Sequence, residues 1–213
     1  MRVEIVSDMV CPWCYLGKRR LEAALARRPG MPVEVHWLPF ELNPDMPPGG
    51  LPRDEYLGPR LGGLAALRQG EARLTALAAR EGVTYRFDLI RTSPNTRAAH
   101  ALARMAAEAG LQDRVLDALF RAYFESGEDI GDAATLARIA GEAGLDPGVV
   151  GTRLGSREHW PAIESIEREV RAAGITSVPF FILDRRLSLS GAQEPGVFEA
   201  AFDRVAAAAG AGP

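Results

Sequence analysis

The sequence predicts an α/β fold in which a β-α-β unit at the start and a β-β-α unit at the end enclose a long helical block. Three observations lead to this prediction. Apolar and polar residues alternate at 2–7 and again at 33–40, with a helical segment between the two. Helical periodicity then fills 52–173. Two short alternating segments and one amphipathic segment close the chain.

The opening unit consists of a strand, a helix and a second strand. We expect the helix to run from Pro12 to about Arg28, because Pro29-Gly30 stops it. Its predicted apolar face consists of Trp13, Leu16, Leu21, Ala24 and Leu25. Two strands joined by one crossover helix are parallel, so this unit predicts a parallel pair.

The helical block repeats one pattern, in which an apolar stripe is followed by a stop signal. One stripe, on a helix expected to begin at Ser93-Pro94, consists of Leu102, Met105, Ala106 and Ala109. The next stripe consists of Leu116, Leu119, Phe120 and Tyr123. Asp132 and Asp146 are typical N-cap residues and predict two further helix starts.

Extended segments are rare after the opening unit. One is predicted inside the helical block at 83–89. Two more, at 179–184 and 186–190, are close enough in sequence to form an antiparallel hairpin. A helix is then predicted from Pro195 to Ala209, with an inward face of Val197, Phe198, Ala201, Phe202 and Val205.

Both ends of the chain are expected to contribute to one core. No repeat and no exposed linker marks a boundary between two consecutive domains. We therefore expect 1–45 and 174–213 to form one domain, and 46–173 to be a helical domain inserted into it.

Composition and charge exclude several classes of function. The chain is 47% hydrophobic and 25% charged, as in ordinary globular proteins, and its formal net charge is −3. No basic run alternates with aromatic residues, so we expect no nucleic-acid partner. No apolar segment approaches the roughly 20 residues that span a bilayer, so no membrane partner is expected. The first residues lack the features of a signal peptide, which predicts a cytoplasmic protein.

The two cysteines, Cys11 and Cys14, are the only ones in the chain and lie in the sequence Cys-Pro-Trp-Cys. They could bind a metal, fill the core or form a redox couple. The three histidines are scattered singly, so no metal site is expected. The junction of a strand and a helix favours redox chemistry, because the free N–H groups at a helix start stabilise a thiolate on Cys11. Cys14 lies one turn later and would be the resolving thiol.

Longer motifs add a family resemblance to this interpretation. CPWC, the helical block and GITSVPFFIL together resemble the DsbA-like branch of the thioredoxin superfamily. The resemblance extends, over most of the chain, to the FrnE subgroup of cytoplasmic DsbA-like oxidoreductases. It is carried by DMVCPWCYLGKRRLEAAL, WLPFELNPDMPPGG, SPNTRAAHALARMAAEAG, LFRAYFESGEDIGD and GITSVPFFILDRRLSLSGAQEP.

The resemblance implies a thioredoxin-like fold with a large helical insertion between its two halves. It also implies that Cys11 is the nucleophile and Cys14 the resolving cysteine. Pro179 matches the cis-proline beside the dithiol, and Val178 before it would pair with a bound peptide. Pro12 and Trp13, between the cysteines, are further candidates for substrate binding, although Trp13 could instead be a packing residue at the helix start.

The function implied is thiol-disulfide oxidoreductase, acting on protein or small-molecule thiols and disulfides, with glutathione as a candidate partner and no cofactor. The secreted oxidants of the family have a histidine where Trp13 stands. Trp13 has no positive charge to stabilise the thiolate, so the reduced form of this couple is favoured less. We therefore expect the couple to be less oxidising than about −120 mV.

Two other functions remain open. Kappa-class glutathione transferases and hydroxychromene carboxylate isomerases share this fold but have a serine where Cys11 stands. A holdase would use an apolar groove of the helical block, for which Met46, Met105 and the leucine-rich segment 57–77 are the only support. Asp8 could accept protons, could raise the pKa of the nearby thiol by repulsion, or could simply be a polar strand end. His36, His100 and Asn95 have no assigned roles.

Overall fold

A computed structural model describes residues 1–210 of the chain, with side chains described through residue 208. The strands in this part of the chain are β1 (Arg2–Ser7), β2 (Glu34–Pro39), β3 (Leu51–Pro52), β4 (Thr92–Ser93), β5 (Phe180–Leu183) and β6 (Leu187–Ser190). The helices are α1 (Pro12–Ala26), α2 (Arg53–Arg60), α3 (Leu64–Ala79), α4 (Arg97–Glu108), α5 (Gln112–Phe124), α6 (Ala133–Ala143), α7 (Pro147–Ser156), α8 (Trp160–Ala172) and α9 (Pro195–Gly210). The architecture is α/β with a mixed sheet, as the sequence predicts.

The main sheet has four strands in the order β2-β1-β5-β6. β1 and β2 are parallel, with Val3 opposite Val35, which confirms the predicted β-α-β unit. β5 runs antiparallel to both β1 and β6. The predicted hairpin is therefore confirmed, and it joins the sheet beside β1. All four strands come from the first 39 residues and from residues 180–190.

The helical block supplies α2 to α8 and a two-stranded ribbon of β3 and β4. The predicted caps at Asp132 and Asp146 are confirmed. The Asp132 side chain accepts a hydrogen bond from the Thr135 N–H, and that of Asp146 accepts from the N–H groups of Gly148 and Val149. Each cap satisfies donors that the helix itself leaves free.

Three expectations within the block are wrong. Residues 83–89 form no strand, because no other segment pairs with them, although Val83, Tyr85 and Phe87 alternate inward as in a strand. The helix predicted from Ser93-Pro94 begins instead at Arg97, because Ser93 pairs in the ribbon. Ala109, predicted to be on the apolar stripe, is exposed beyond the end of α4.

The first and last helices differ from expectation at single positions. α1 ends at Ala26, two residues before the predicted end at Arg28. Trp13, predicted to be on the inner face of α1, is 45% exposed, and Val197 of α9 is also exposed. Both lie in the first turn of their helices, where fewer neighbouring elements cover the side chain.

A continuous apolar core connects the sheet with the helical block. Tyr15 of α1 stacks on Phe120 of α5 with ring centroids 5.2 Å apart, and Tyr85 packs edge-on against Phe124 at 5.3 Å. Phe181 of β5 meets Phe198 of α9 edge-on at 4.8 Å, on the face of the sheet that α1 also covers. Helix α1 therefore packs against the helical block through aromatic rings, while α9 packs against β5 beside it. Within residues 1–210, no helix has the length and apolar character needed to cross a bilayer.

Candidate active site

The cysteines lie where β1 is followed by α1. The Cys11 N–H donates to the Asp8 carbonyl at 3.1 Å, which closes a tight turn after the strand. Cys11 is the N-cap of α1, and Pro12 occupies the first helical position. The Cys14 N–H donates back to the Cys11 carbonyl at 3.0 Å. Cys11 is therefore fixed at the helix start, where the helix dipole favours a negative charge.

Both cysteines are free thiols and both are largely buried. Cys11 is 5% exposed, less than its expected place at an open helix end suggested. Cys14 is 1% exposed and lies under the first turn of the helix. The order of accessibility agrees with attack by Cys11 and resolution by Cys14, but the reactive thiol is more enclosed than the sequence indicates.

The loop before β5 covers the Cys11 thiol. The sulfur of Cys11 lies 3.7 Å from the carbonyl oxygen of Val178, to which the thiol donates. The peptide bond between Val178 and Pro179 is cis. Gly17 of α1 faces this segment, and a Cβ at this position would lie 3.1 Å from Pro179 Cγ and 3.1 Å from Phe181 Cζ. The absence of a side chain at Gly17 therefore lets α1 lie close to the cis-proline segment.

Burial controls the chemistry of the second thiol. It raises the pKa of Cys14 well above its ordinary value, and the neighbouring Cys11 thiol raises it further. The Ser7 hydroxyl and the Asp8 backbone lower the pKa of Cys14 by less. Cys14 is therefore a thiol, not a thiolate, at neutral pH.

Pro12 and Trp13 lie between the cysteines but differ in exposure. Pro12 is half-buried, and its carbonyl accepts a hydrogen bond from the Tyr85 hydroxyl. Burial raises the pKa of Tyr85, and the nearby Cys11 raises it further, so Tyr85 remains a neutral donor. The Trp13 ring, by contrast, is on the surface next to the dithiol.

Tyr85 belongs to the site although sequence reasoning did not identify it. It comes from the 83–89 segment, which was expected to be a strand. The alternation of that segment does signal that its odd-numbered side chains point inward, but it gives no indication of which neighbour they meet.

A buried acid and a buried histidine lie behind the dithiol. Asp8 has no exposed surface, and its Oδ2 accepts a hydrogen bond of 2.8 Å from the Leu42 N–H. The other carboxylate oxygen, Oδ1, lies 3.5 Å from Nε2 of His100 on α4. The sequence singled out both residues but gave no reason to pair them.

The other residues that had no assigned role lie in ordinary contacts. Asn95 donates to the Met46 carbonyl at 2.7 Å and accepts from the Arg97 N–H at 3.0 Å, which ties α4 to the preceding loop. His36 of β2 lies 3.7 Å from the Glu34 carboxylate. Met46 and Met105 are both buried, so they offer no surface for the groove of a holdase.

Comparison with proteins of known structure gives close overall agreement. The probable DsbA oxidoreductase SCO1869 of Streptomyces coelicolor superposes with a TM-score of 0.86 at 38% identity, covering 96% of this chain and 89% of that one. A 2-hydroxychromene-2-carboxylate isomerase gives 0.72 at 16% identity, with 97% and 96% covered. The cytosolic disulfide reductase DsbM of Pseudomonas aeruginosa, solved with GSH, gives 0.65 at 23% identity, with 96% and 98% covered. The last two likenesses concern the fold alone.

The family model of the DSBA-like thioredoxin domain matches residues 2–203, which is nearly the whole chain. This match includes the β1–α1 junction with both cysteines and the cis-proline segment before β5. The chain therefore belongs to the DSBA-like thioredoxin domain family.

Proposed function

We propose that the protein is a thiol-disulfide oxidoreductase in which Cys11 and Cys14 alternate between dithiol and disulfide. One observation carries this proposal. The Cys11 thiol is at the start of a helix and faces the Val178 carbonyl, with a second, protonated thiol one turn later. Neither a core-filling pair nor a single-cysteine nucleophile requires this asymmetry.

The exchange proceeds in two displacements. The Cys11 thiolate attacks one sulfur of a substrate disulfide, which gives a mixed disulfide and releases the first substrate thiolate. Cys14 then loses its proton and attacks the Cys11 sulfur, which releases the second substrate thiolate. The protein is oxidised by two electrons and the substrate disulfide is reduced to two thiols. The reverse sequence oxidises a substrate dithiol.

Four residues are proposed to bind the substrate. Val178 and Pro179 border Cys11 and would receive an extended segment of the substrate by backbone pairing. Pro12 and Trp13 lie on the other side of the thiol. The exposed Trp13 ring offers an apolar contact, and covering it with substrate is favourable because apolar surface is removed from water.

The proposed partners are thiols and disulfides of proteins or small molecules, glutathione among them. Support comes from the fold shared with DsbM, a cytosolic reductase whose structure holds GSH. On the same basis we assign the protein to the cytoplasm. We assign it to the FrnE subgroup on the basis of its long sequence motifs. The thioredoxin-like domain is proposed to be 1–45 with 174–213, and the inserted helical domain 46–173.

The test compares Cys11→Ser with Cys14→Ser, using oxidised glutathione as the disulfide. We expect Cys11→Ser to retain less than about 1% of the exchange rate, because a serine hydroxyl is not ionised at neutral pH and forms no mixed disulfide. Cys14→Ser should form the mixed disulfide and fail to resolve it, so the adduct accumulates in intact-mass spectra. The parent couple should equilibrate with glutathione buffers at a potential between about −270 and −150 mV.

The same pair of variants separates the alternatives. An isomerase that uses glutathione without changing its redox state would tolerate a hydroxyl at position 11, and a holdase would be indifferent to both changes. Full exchange activity in Cys11→Ser, or two thiols that stay reduced at every glutathione ratio, would refute the proposed function. Thermal melting of each variant shows whether a loss of activity reflects unfolding.

A further inference from the structure

The Pro12–Trp13 peptide group lies in the first turn of α1, directly after Cys11. Pro12 has no N–H, and the Cys14 N–H donates to the Cys11 carbonyl at 3.0 Å. The Trp13 N–H makes no hydrogen bond to any residue that the structure describes. An N-cap side chain ordinarily accepts a hydrogen bond from the second or third N–H of its helix. The Trp13 N–H is therefore the donor left for the side chain of Cys11.

The carbonyl of the same peptide group has a partner in the helical block. The hydroxyl of Tyr85 donates a hydrogen bond to the Pro12 oxygen. The buried Tyr85 ring stacks on Phe87 with ring centroids 5.0 Å apart and meets Phe124 edge-on at 5.3 Å. These rings hold the hydroxyl in place. Since burial raises the pKa of Tyr85, the hydroxyl keeps its proton and donates it to the carbonyl at neutral pH.

The two ends of a peptide group do not act independently. The group is planar, so a partner that fixes the direction of the carbonyl also fixes the direction of the N–H. A hydrogen bond to the oxygen draws electron density from the nitrogen, and successive hydrogen bonds strengthen one another by about 10–30%. The bond from Tyr85 to Pro12 therefore orients the Trp13 N–H and makes it a stronger donor.

Ionisation of Cys11 changes the hydrogen bonds that its sulfur can make. As a thiol it donates to the Val178 carbonyl at 3.7 Å. As a thiolate it has no proton to donate and can only accept. Hydrogen bonds to a charged acceptor are roughly twice as strong as those between neutral groups. The Trp13 N–H is therefore worth most to the protein when Cys11 is ionised.

We propose that Tyr85 is a positioning residue for the Cys11 thiolate, because its hydroxyl holds and polarises the Pro12–Trp13 peptide group whose N–H stabilises the charged sulfur. The inference rests on the proposed function and concerns the redox equilibrium of the same site. It means that a residue of the helical block helps to set how oxidising the dithiol couple is.

The proposal fixes the direction in which the equilibrium should move. Oxidised glutathione takes two electrons from the Cys11–Cys14 dithiol, so that its own S–S bond breaks, the protein S–S bond forms and two glutathione thiols are released. In the protein disulfide neither sulfur is charged. Only the reduced protein, with its thiolate, therefore depends on Tyr85. Loss of the Tyr85 hydroxyl should make oxidation of the protein more favourable.

The test compares Tyr85→Phe with Tyr123→Phe in glutathione buffers at pH 7. Tyr123 is the matched control, because it is also buried and donates its hydroxyl to a backbone carbonyl, that of Thr92 at 3.2 Å in β4. The equilibrium constant for oxidation should rise by about two- to fivefold in Tyr85→Phe, as a fraction of a charged hydrogen bond is lost. It should stay at the parent value in Tyr123→Phe.

A second change at position 85 tests the same hydrogen bond in the opposite direction. 3-Fluorotyrosine keeps the aromatic ring, and its more acidic hydroxyl is a stronger donor. The equilibrium should therefore shift towards the dithiol, the reverse of the shift in Tyr85→Phe. A shift towards the disulfide with 3-fluorotyrosine would contradict the proposal, and this measurement remains decisive even if Tyr85→Phe does not fold.

Thermal melting of the two redox forms separates this role from a general loss of stability. Tyr85→Phe should lower the melting temperature of the reduced protein more than that of the disulfide form, whereas Tyr123→Phe should lower both equally. An unchanged equilibrium constant in Tyr85→Phe, or an equal rise in Tyr123→Phe, would overturn the role of Tyr85 while the proposed exchange stands. A parent protein that forms no disulfide in any of these buffers would instead refute the proposed function.

Discussion

At the scale of single residues, the two thiols differ in what surrounds them. Cys11 is at the helix start with its sulfur 3.7 Å from the Val178 carbonyl. Cys14 is beneath the first turn, where burial raises the pKa of its thiol. Chemically identical side chains three positions apart therefore differ in their contacts: the Cys11 thiol faces a backbone carbonyl, whereas the Cys14 thiol is enclosed under the helix and stays protonated.

This difference predicts unequal alkylation. In the reduced protein at about pH 6, iodoacetamide should label Cys11 at least about tenfold faster than Cys14, because only the thiolate reacts. Raising the pH should narrow the difference, since the Cys14 thiol ionises only above its ordinary range. Timed quenching with peptide mass spectrometry gives both rates. In guanidinium the two rates should converge, and a native Cys14 that reacts as fast as Cys11 would contradict the assigned roles.

At the scale of elements, the contact between α1 and β5 decides the geometry of the site. Gly17 lets the helix approach Pro179 and Phe181, whereas Gly70 of α3 has no atom within 4 Å of the position of a Cβ. Both glycines are inside helices, where alanine is intrinsically preferred. The two positions therefore form a matched pair that differs in the space around the side chain.

Alanine at these two positions should have unequal effects on stability. Gly70→Ala should raise the free energy of unfolding by about 0.5–1 kcal/mol. Gly17→Ala should lack this gain, and should be less stable than Gly70→Ala by about 1 kcal/mol or more, because the methyl group pushes on Pro179 and Phe181. Urea denaturation measures both. An equal rise in the free energy of unfolding in the two variants would show that α1 and β5 can accommodate the added methyl group without loss of stability.

At the scale of the whole molecule, stability should depend on pH through a histidine outside the site. His159 at the start of α8 is buried, and burial lowers its pKa. Arg153 lowers the pKa further, while Glu108 and Glu158 act in the opposite direction. The unfolded chain then binds a proton more readily than the folded one. His159 therefore makes its full contribution to the free energy of unfolding above about pH 6.5, the pKa of a histidine in the unfolded chain. That contribution is lost as the pH falls from there to the lower folded-state pKa.

The corresponding measurement compares the melting temperature of the parent with that of His159→Gln between about pH 7.5 and pH 5.5. On acidification the parent should lose more stability than the variant, so that the two curves approach each other. Curves that stay parallel over this range would mean that His159 binds protons equally well in the folded and unfolded chains.

The features that could be predicted from the sequence are those set by residues close together in the chain. The parallel opening unit, the hairpin and the caps at Asp132 and Asp146 depend on neighbours in the chain, and all are confirmed. The 83–89 segment failed as a strand because alternation reports burial and not a pairing partner. The approach of Asp8 to His100, and of Tyr85 to Pro12, joins residues that are far apart in sequence. Only the packing of α4 and of the 83–89 segment against the β1–α1 junction brings these residues together.

The sheet order has a consequence for the protein as it is synthesised. β1 pairs with β5, with Val3 opposite Leu183, so the strand that leads into the dithiol acquires this neighbour only after the long intervening segment has been synthesised. At about 5–20 residues per second, the ribosome needs on the order of ten to forty seconds to make the intervening chain. During that time Cys11 lacks the Val178 carbonyl, and both thiols belong to an unfinished nascent polypeptide. The two thiols are therefore synthesised well before the segment that covers Cys11, and the contact with the Val178 carbonyl forms only when the β5–β6 hairpin has emerged.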